Sequence, residues 1–242
     1  MKNSTKVLPD GYERLERAIA HQGLASRREA KALITAGHVT VNKKKITEPG
    51  FGIRVGTDVI SIAGNANAAA PKESVLVYKP RGVETTKSPD SKAKTKDLHD
   101  QFPKLKHLAP IGRLDKESEG LIIMSNDGTL TKAITGENSS VAKTYSVTTR
   151  EQVTDAALAR MQNGIMLDKI MTKLAPTKRK SRTSFIIELH EGRKHQIRRM
   201  CDACHLTIES LIRISIGHLK SAGMKAGNTK RLSDEDVKIL KQ

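Results

Sequence analysis

Hydrophobic positions recur at two different spacings along the 242-residue chain and predict two parts with different structures. Early in the chain, Leu15, Ala18 and Ile19 recur at helical spacing, which predicts a helix that ends at Gly23. A capping box that begins at Ser26 predicts a second helix directly after it. The elements expected in this part are two helices and two short strands, over residues 12–21, 26–36, 39–41 and 59–62.

The later part of the chain alternates between hydrophobic and polar residues, as half-buried strands do. Strands are predicted over residues 75–78, 121–124, 143–148, 184–189 and 211–217. A helix is predicted over residues 156–161, residues 191–200 are expected to turn from the preceding strand into a helix, and Ser233 is expected to cap a last short helix. Many short strands with few helices are typical of an α+β domain, here with a mixed, largely antiparallel sheet and flanking helices.

A stretch of small, uncharged residues separates the two parts. Residues 63–71, A-G-N-A-N-A-A-A-P, carry no hydrophobic pattern and predict a linker. The expected organisation is a small α/β domain over residues 1–65, a linker over 66–71 and a larger α+β domain over 72–242. The polar, basic stretch 87–106 of the larger domain is interpreted as a flap.

The charge of the chain narrows the classes of partner. Lys and Arg total 43 against 26 Asp and Glu, which gives a net charge of +17 and a pI near 9.9. So large an excess favours binding to a polyanion, and nucleic acid is the usual one. No stretch approaches the length of a membrane span and no signal peptide is recognisable, so a cytoplasmic protein with reduced cysteines is expected.

A short motif late in the chain, C-D-A-C-H from Cys201 to His205, matches a haem-attachment pattern. Haem attachment of this kind normally follows export, for which the sequence carries no signal. Ile197, Met200 and Cys201 also stand at helical spacing, as packing residues on one helix face do. A zinc site would need a second pair of ligands. Neither a metal nor a cofactor is therefore expected.

The sharpest candidate site lies between Pro110 and Gly128. A polar loop there sets Arg113 and Asp115 two residues apart, directly before the apolar run of a predicted strand. A neighbouring cation favours the ionised form of a carboxylate. From these residues alone, two interpretations stay open: a functional carboxylate, or an Arg-Asp ion pair that fixes the loop, since structural ion pairs often resemble sites.

Basic residues crowd the first turns of the second helix, at Arg27, Arg28 and Lys31. Cations near a helix N-terminus are unfavourable unless an anion lies there as well. A phosphate backbone would supply that anion. The alternative is a solvated helix face.

The order of helix, helix, turn and short strands over about 12–62 resembles the RNA-binding domain named after ribosomal protein S-four. The residues that carry the resemblance are Leu15, Gly23, Ser26, Arg27, Arg28, Glu29, Ala30, Leu33, Ile34, Gly37, His38, Val39, Val41 and Asn42. Lys43 departs from the pattern, because that family usually has glycine there, and a lysine at positive φ is expected to strain the turn. The resemblance implies RNA contacts from Ser26, Arg27, Arg28, Lys31, Lys43 and Lys44.

Four motifs of the second part occur in an order that resembles one enzyme family. They are K-P-x-G at Lys79–Gly82, G-R-L-D at Gly112–Asp115, K-x-Y at Lys143–Tyr145, and G-R-x-x-Q-I-R-R-M at Gly192–Met200. Together with the front domain, they make nearly the whole chain similar to the ribosomal small-subunit and large-subunit (RsuA-like) pseudouridine synthases. Tyr78 stands where that family commonly has asparagine, which we expect to affect packing more than chemistry.

The resemblance implies a role for each matching residue. Asp115 would be the catalytic aspartate, Tyr145 the active-site tyrosine and Arg198 the basic partner of the aspartate. Arg113 matches a position that enters the RNA stack, and Lys79, Gln196 and Leu211 are the further substrate-binding candidates. A single carboxylate suffices for this reaction as nucleophile or as base at the sugar, because the base is never lost and water must be kept out. Arg199 is interpreted as a phosphate contact.

The resemblance leaves the RNA target open. Q-I-R-R-M-C at Gln196–Cys201 and the L-P-D opening at Leu8–Asp10 resemble the F-type large-subunit enzyme, which favours a stem-loop uridine of 23S rRNA. The alternatives are 16S rRNA or a tRNA as substrate, or a non-catalytic RNA-binding factor of ribosome assembly. A monomer without membrane contact and without a small-molecule cofactor is expected.

Overall fold

The computed structural model describes residues 8–22, 24–25, 27–63, 71–87, 95–136 and 139–242. These residues form two compact units, and the second begins at Glu73. The predicted linker falls mostly on residues 64–70, outside the described part of the chain. No helix of the described part is long and apolar enough to cross a bilayer.

The first unit contains residues up to Lys72 and combines two helices with short antiparallel strand pairs. Its elements are β1 (Tyr12–Arg14), α1 (Leu15–His21), α2 (Arg27–Thr35), β2 (Val39–Val41), β3 (Lys44–Ile46), β4 (Gly52–Arg54) and β5 (Ile60–Ile62). β1 pairs with β4, and β2 lies between β3 and β5. Leu15, Ile19 and Ile34 of the helices pack with Val39 and Ile53 of the strands in one buried cluster.

Two details of this unit differ from the sequence prediction or lie beyond it. The first helix begins at Leu15 rather than at residue 12, because Tyr12–Arg14 pair in antiparallel register with Gly52–Arg54. Residues 12–14, which the helical pattern included, therefore form strand hydrogen bonds instead. Gly23 and Ser26, on which the predicted helix end and capping box depend, lie outside the described residues.

The strain predicted for the turn after β2 is confirmed. Asn42 and Lys43 connect β2 to β3 with φ of 50° and 67°, the left-handed conformation that a two-residue hairpin of the primed type requires. Asparagine tolerates this conformation, whereas lysine has a Cβ that makes it unfavourable. The turn projects Lys43 and Lys44 into solvent.

The second unit consists of Glu73–Ser125 and Leu130–Gln242. Its strands are β6 (Ser74–Lys79), β7 (Ala109–Ile111), β8 (Glu119–Ser125), β9 (Lys143–Thr149), β10 (Met166–Leu167), β11 (Ile170–Met171), β12 (Thr177–Ser181), β13 (Ser184–Leu189), β14 (Ile208–Ile216), β15 (Leu219–Lys220) and β16 (Thr229–Arg231). Its helices are α3 (Leu98–Gln101), α4 (Gly128–Thr135, which belongs to this unit from Leu130 on), α5 (Asp155–Gln162), α6 (Gln196–Ala203) and α7 (Asp234–Ile239), with a 3₁₀ turn at Pro103–Leu105.

One mixed sheet organises this unit, in the order β12-β13-β9-β14-β8-β6-β16, with β15 beside β14 and β7 beside β8. Every pairing described in it is antiparallel except that of β14 with β8. The predicted α+β class with a mixed, largely antiparallel sheet is confirmed. The parallel pair joins the strand after the Asp115 loop to the strand that carries Arg213.

The core lies on both faces of the sheet. In β8, Leu121 and Ile123 pack into one cluster, whereas Ile122 and Met124 pack into another. All four side chains are fully buried. A continuous apolar run is the pattern expected of a strand that is covered on both sides. The loop that carries Asp115 therefore leads into the best-buried strand of the domain.

The structure corrects the predicted flap and confirms the start of the last helix. The flap predicted over 87–106 is partly regular, because Asp97 caps α3 with a capping box and the 3₁₀ turn follows. Its residues 88–94 lie outside the described part. The last helix starts as predicted, since the Ser233 side chain accepts a hydrogen bond from the Asp236 backbone N–H.

Candidate active site

The loop from Gly112 to Ser118 is fixed by hydrogen bonds of its own backbone. The buried hydroxyl of Thr85 donates to the Leu114 carbonyl at 2.7 Å and accepts from the Leu114 N–H at 2.9 Å. The Ser118 N–H donates to the Asp115 carbonyl at 3.0 Å. The backbone on both sides of Asp115 is therefore held before any ligand binds.

Lys79 supports this loop from inside the protein. Its side chain is 0% exposed, and Nζ donates to the carbonyls of Pro80 at 2.9 Å and Val83 at 2.6 Å, with a longer contact to Lys116 at 3.4 Å. Burial lowers the pKa of Lys79 to about 8, although nearby carboxylates, Asp115 first, oppose that shift. Lys79 was predicted to bind substrate; the structure places it as an internal clamp on two loops instead.

Asp115 and Arg198 are brought together from positions 83 residues apart, because α6 packs beside the loop. Arg198 Nε lies 3.5 Å from Asp115 Oδ2, and its Nη2 donates to the Ser118 hydroxyl at 3.1 Å. The Asp115 side chain is 35% exposed, so substrate can reach it. Arg198 thus holds the carboxylate and the end of its loop with one planar group.

A second basic side chain reaches the same carboxylate. His195 Nε2 lies 3.4 Å from Asp115 Oδ1. No ion pair with Arg113 is recorded for Asp115 among the described residues, and Arg113 is exposed to solvent. The loop therefore does not contain the structural Arg113–Asp115 ion pair that the sequence left open. Arg113 is exposed, and its contact with RNA stays a prediction.

Tyr145 lies in β9, partly buried against the core beside β13 and β14. Its cross-strand neighbour Arg213 donates from Nη1 to the phenol oxygen at 3.4 Å, and the guanidinium lies 6.0 Å from the ring centroid. Arg213 is only 5% exposed, and its Nε donates to the Leu121 carbonyl at 2.6 Å. Lys143 lies in β9, the strand that carries Tyr145. Burial, and then the charge of Arg213, lower the pKa of Lys143 to about 8.

Gln196 and Leu211 are enclosed rather than open to a ligand. The Gln196 amide donates to Glu191 at 2.7 Å and accepts from the Arg193 N–H at 3.2 Å, and its side chain is buried. Leu211 is 6% exposed and belongs to the core, opposite Val147 of β9. Both residues were predicted to bind substrate; in this structure their side chains are buried against the protein, and the substrate-binding role stays a prediction.

Arg199 also has a different partner from the one expected. Its Nη2 lies 2.6 Å from Asp168 Oδ1, in the turn between β10 and β11. Arg193 donates to the carbonyls of Ile170 and Met171 in the same hairpin. In the free protein Arg199 therefore pairs with an exposed carboxylate, and a contact with phosphate stays a prediction for this residue.

The predicted RNA-binding residues of the front unit are exposed wherever their side chains are described, at Arg27, Lys31, Lys43 and Lys44. Arg27 also lies 3.9 Å from the buried carboxylate of Glu16, a distance at which the pairing is weak. Ser26 and the side chain of Arg28 lie outside the described part. The role in RNA binding stays a prediction for all six residues.

Sequence analysis missed His195, Ser118, Thr85 and Arg213. Arg213 left a signal, because a cation in the middle of an apolar alternation has to find buried partners. His195 and Ser118 left none, since their contacts depend on loop geometry and on residues about 80 positions away.

The cysteine motif carries no site chemistry of its own. Cys201 is buried in the core, and burial raises the pKa of its thiol to about 12. Within the described residues, no three His, Cys, Asp or Glu side chains are grouped as metal ligands would be. Cys201 is a packing residue of α6, in agreement with its helical spacing.

Replacement of Lys79 by Met tests the clamp. The apolar side chain fits the stem of lysine but leaves the carbonyls of Pro80 and Val83 without their donor, at a cost of roughly 1–3 kcal/mol for each. We expect the Tm of Lys79→Met to fall by roughly 5 °C or more. Exposed Lys104 provides the matched control, since Lys104→Met should leave the Tm nearly unchanged. An unchanged Tm for Lys79→Met would contradict the clamp.

The pKa of Lys79 also predicts how that loss varies with pH. The folded protein releases the Lys79 proton near pH 8, whereas the unfolded chain keeps it up to about pH 10.5. Between these values the unfolded state binds more protons, so this lysine makes the wild type more stable as the pH rises. Denaturant unfolding should therefore show a larger difference between wild type and Lys79→Met at pH 10 than at pH 7.

The chain matches known protein families. Residues 73–203 match the RNA pseudouridylate synthase family, and residues 13–59 match the S4 domain. The chain is 34% identical to ribosomal large subunit pseudouridine synthase B of Bacillus subtilis, over 95% of this chain and 96% of that protein. It is 32% identical to the dual-specificity RNA pseudouridine synthase RluF of Escherichia coli, over 96% of this chain and 79% of that protein.

A solved structure agrees with the fold. A crystal structure of a pseudouridylate synthase superimposes with a TM-score of 0.68 at 24% identity, over 94% of this chain and 99% of that one. The chain therefore belongs to the RNA pseudouridylate synthase family, whose members isomerise uridine in RNA, and it carries an S4 domain in front of the catalytic domain.

Proposed function

We propose that this protein converts one uridine of 23S rRNA to pseudouridine and that Asp115 is its catalytic carboxylate. The observation that carries the proposal is the partly exposed Asp115 side chain, held at one oxygen by Arg198 on a loop that Thr85 fixes and that Lys79 contacts at the Lys116 carbonyl. A carboxylate that is oriented and open to solvent is suited to act on the sugar of a nucleotide.

The chemistry needs one carboxylate and no co-reactant. The bond from uracil N1 to the anomeric carbon breaks, the base turns, and C5 bonds to the same carbon. The proton on C5 is lost and N1 gains one, so the composition of the RNA does not change. Asp115 acts as nucleophile or as base at the sugar. A second carboxylate that activated water, as in glycosidases, would cause hydrolysis and loss of the base.

The target base has to leave its stack to reach Asp115, because a sugar inside a folded RNA is shielded by its neighbours. In this proposal Tyr145 offers a flat face to the flipped uracil and a phenol for proton transfer. Arg213 supports that role, since it donates to the phenol oxygen and leaves the phenol hydrogen directed elsewhere. From its exposed position, Arg113 enters the gap that the flipped base leaves in the RNA stack.

The choice of 23S rRNA is supported by the relatives. The Bacillus subtilis protein is named for the large ribosomal subunit, and it matches this chain over nearly the full length of both. The Escherichia coli relative is named as dual-specificity, so a second RNA is a serious alternative. The same proposal places the protein in the cytoplasm with the ribosome, as a monomer that uses no small-molecule cofactor.

A direct test uses transcripts of 23S rRNA, 16S rRNA and tRNA with uridine tritiated at C5. Pseudouridine formation releases that tritium to water, so release measures turnover on each RNA. We expect release from 23S rRNA that the Asp115→Asn protein does not reproduce. Release from 16S rRNA or tRNA alone would contradict the 23S assignment, and binding without release from any RNA would favour a non-catalytic assembly factor.

Removal of the front domain tests its part in binding. A protein that lacks residues 1–65 should bind rRNA more weakly, because exposed Arg27, Lys31, Lys43 and Lys44 are lost. The slope of log K against log salt should also become shallower, by about one unit for each phosphate contact removed. Filter binding over a salt series measures both. An unchanged slope would mean that this domain does not touch the phosphates of the RNA.

A further inference from the structure

We propose that His195 is a second positioning residue for Asp115, which holds the carboxylate oxygen that Arg198 does not contact. This inference rests on the proposed catalytic role of Asp115. His195 lies directly before α6 and has no role in the motif matches. With this role, two side chains, His195 and Arg198 of α6, set the orientation of the carboxylate.

The contacts to the two carboxylate oxygens are separate. His195 Nε2 lies 3.4 Å from Oδ1, and Arg198 Nε lies 3.5 Å from Oδ2. A carboxylate held at one oxygen can still rotate about its Cβ–Cγ bond, whereas contacts at both oxygens fix the plane of the group. The contact with His195 is an ion pair when the imidazole is protonated.

The backbone of His195 adds an independent observation. His195 has φ 53° and ψ 31°, the left-handed conformation that is unfavourable for a residue with a Cβ. Such conformations persist where surrounding structure imposes them, and they cluster at functional sites. His195 is also the N-cap residue of α6, yet its side chain makes no capping hydrogen bond. The ring lies beside Asp115 instead of serving the helix.

The neighbours of His195 are anchored, so its ring is presented from a fixed backbone. Arg193 pairs with Glu191 and donates to the β10–β11 hairpin. Gln196 is tied to Glu191 by its side chain and to the Arg193 carbonyl by its N–H. The Arg199 N–H donates to the His195 carbonyl at 3.0 Å. A loop held on both sides keeps His195 in its strained conformation and aims it at the carboxylate.

The strain provides a test that separates positioning from a structural role. Glycine adopts the left-handed conformation without the Cβ penalty, so His195→Gly removes the ring and relieves the backbone at once. If His195 only stabilised the fold, its loss would lower the Tm. If His195 positions Asp115, His195→Gly should instead have a Tm equal to or above that of wild type. Its single-turnover rate should be lower by roughly 10-fold to 100-fold.

The chain offers a matched control at the other end of the same helix. His205 has φ 57°, is exposed, and directly follows the C-cap of α6. His205→Gly makes the same chemical change at the same backbone conformation, away from Asp115. It should leave the Tm equal or higher and the rate unchanged. His195→Gln provides the rescue, because its amide keeps an N–H donor at similar reach and should recover much of the rate.

The experiment measures single-turnover pseudouridine formation, rRNA binding and Tm for wild type, the three histidine variants and Asp115→Asn. A selective loss of rate in His195→Gly, with partial recovery in His195→Gln, supports the inference. A wild-type rate in His195→Gly overturns it, and so do equal losses of rate and binding, which would assign His195 to RNA contact. If His195→Gly fails to fold, a wild-type rate in both His195→Gln and a His195→Phe variant overturns it. Full turnover by Asp115→Asn would instead overturn the proposed function itself.

Discussion

Asp115→Asn should abolish pseudouridine formation and leave RNA binding nearly intact. Asparagine has the shape of aspartate, so the loop bonds of Thr85 and Ser118 to the backbone remain. The neutral amide cannot act as nucleophile or base and no longer pairs with Arg198. Binding depends mainly on the basic surface and should persist. Single-turnover assays and filter binding on the same rRNA fragment measure the two effects.

Asp168→Asn is the control for this change. Asp168 pairs with Arg199 of the same helix that supplies Arg198, and it lies in a left-handed conformation that asparagine tolerates. It should keep both rate and binding. Turnover of Asp115→Asn within about tenfold of wild type, a barrier change of only about 1.4 kcal/mol, would contradict the catalytic assignment.

Arg198→Lys should lower the single-turnover rate more than it weakens RNA binding. Arg198 uses Nε for Asp115 and Nη2 for Ser118, and lysine has one nitrogen for both partners. Arg198→Met should be worse, because it leaves the carboxylate without this cation, a loss that can reach about 3–5 kcal/mol for a fully buried pair and less for the part-exposed Asp115.

The neighbouring Arg199 makes the comparison specific. Arg199→Lys keeps a charge beside exposed Asp168 and should change neither rate nor binding strongly. Equal losses of rate and binding in Arg198→Lys would instead assign Arg198 to phosphate contact, and Asp115 would then depend on His195 alone among its recorded partners.

Local patterns predicted much of the fold because they depend on neighbours in the chain. The apolar run from Leu121 to Met124 gave a strand covered on both faces, and the helix cap predicted at Ser233 is present. The pattern failed at Tyr12–Arg14, where pairing with a strand 40 residues later competed with the helix and prevailed. Such competition is decided by tertiary contacts that no local window contains.

The site was predicted less completely than the fold. The motifs predicted roles for Asp115, Tyr145 and Arg198, and the structure places Arg198 beside Asp115. They gave no sign that Lys79 would be fully buried, because the same lysine is compatible with a surface cation or an internal clamp. The turn into a helix within 191–200 was predicted, but not that α6 begins after a left-handed residue at His195. A φ angle imposed by neighbouring loops cannot be deduced from the type of residue alone.

The most direct test of the account is a map of pseudouridines in the rRNA of a strain that lacks the gene. We expect one pseudouridine of 23S rRNA to be missing, wild-type protein to restore it, and Asp115→Asn to fail although it accumulates to the same level. A complete set of 23S pseudouridines in the deletion strain, or restoration of the missing one by Asp115→Asn, would contradict the assignment of this site to that reaction.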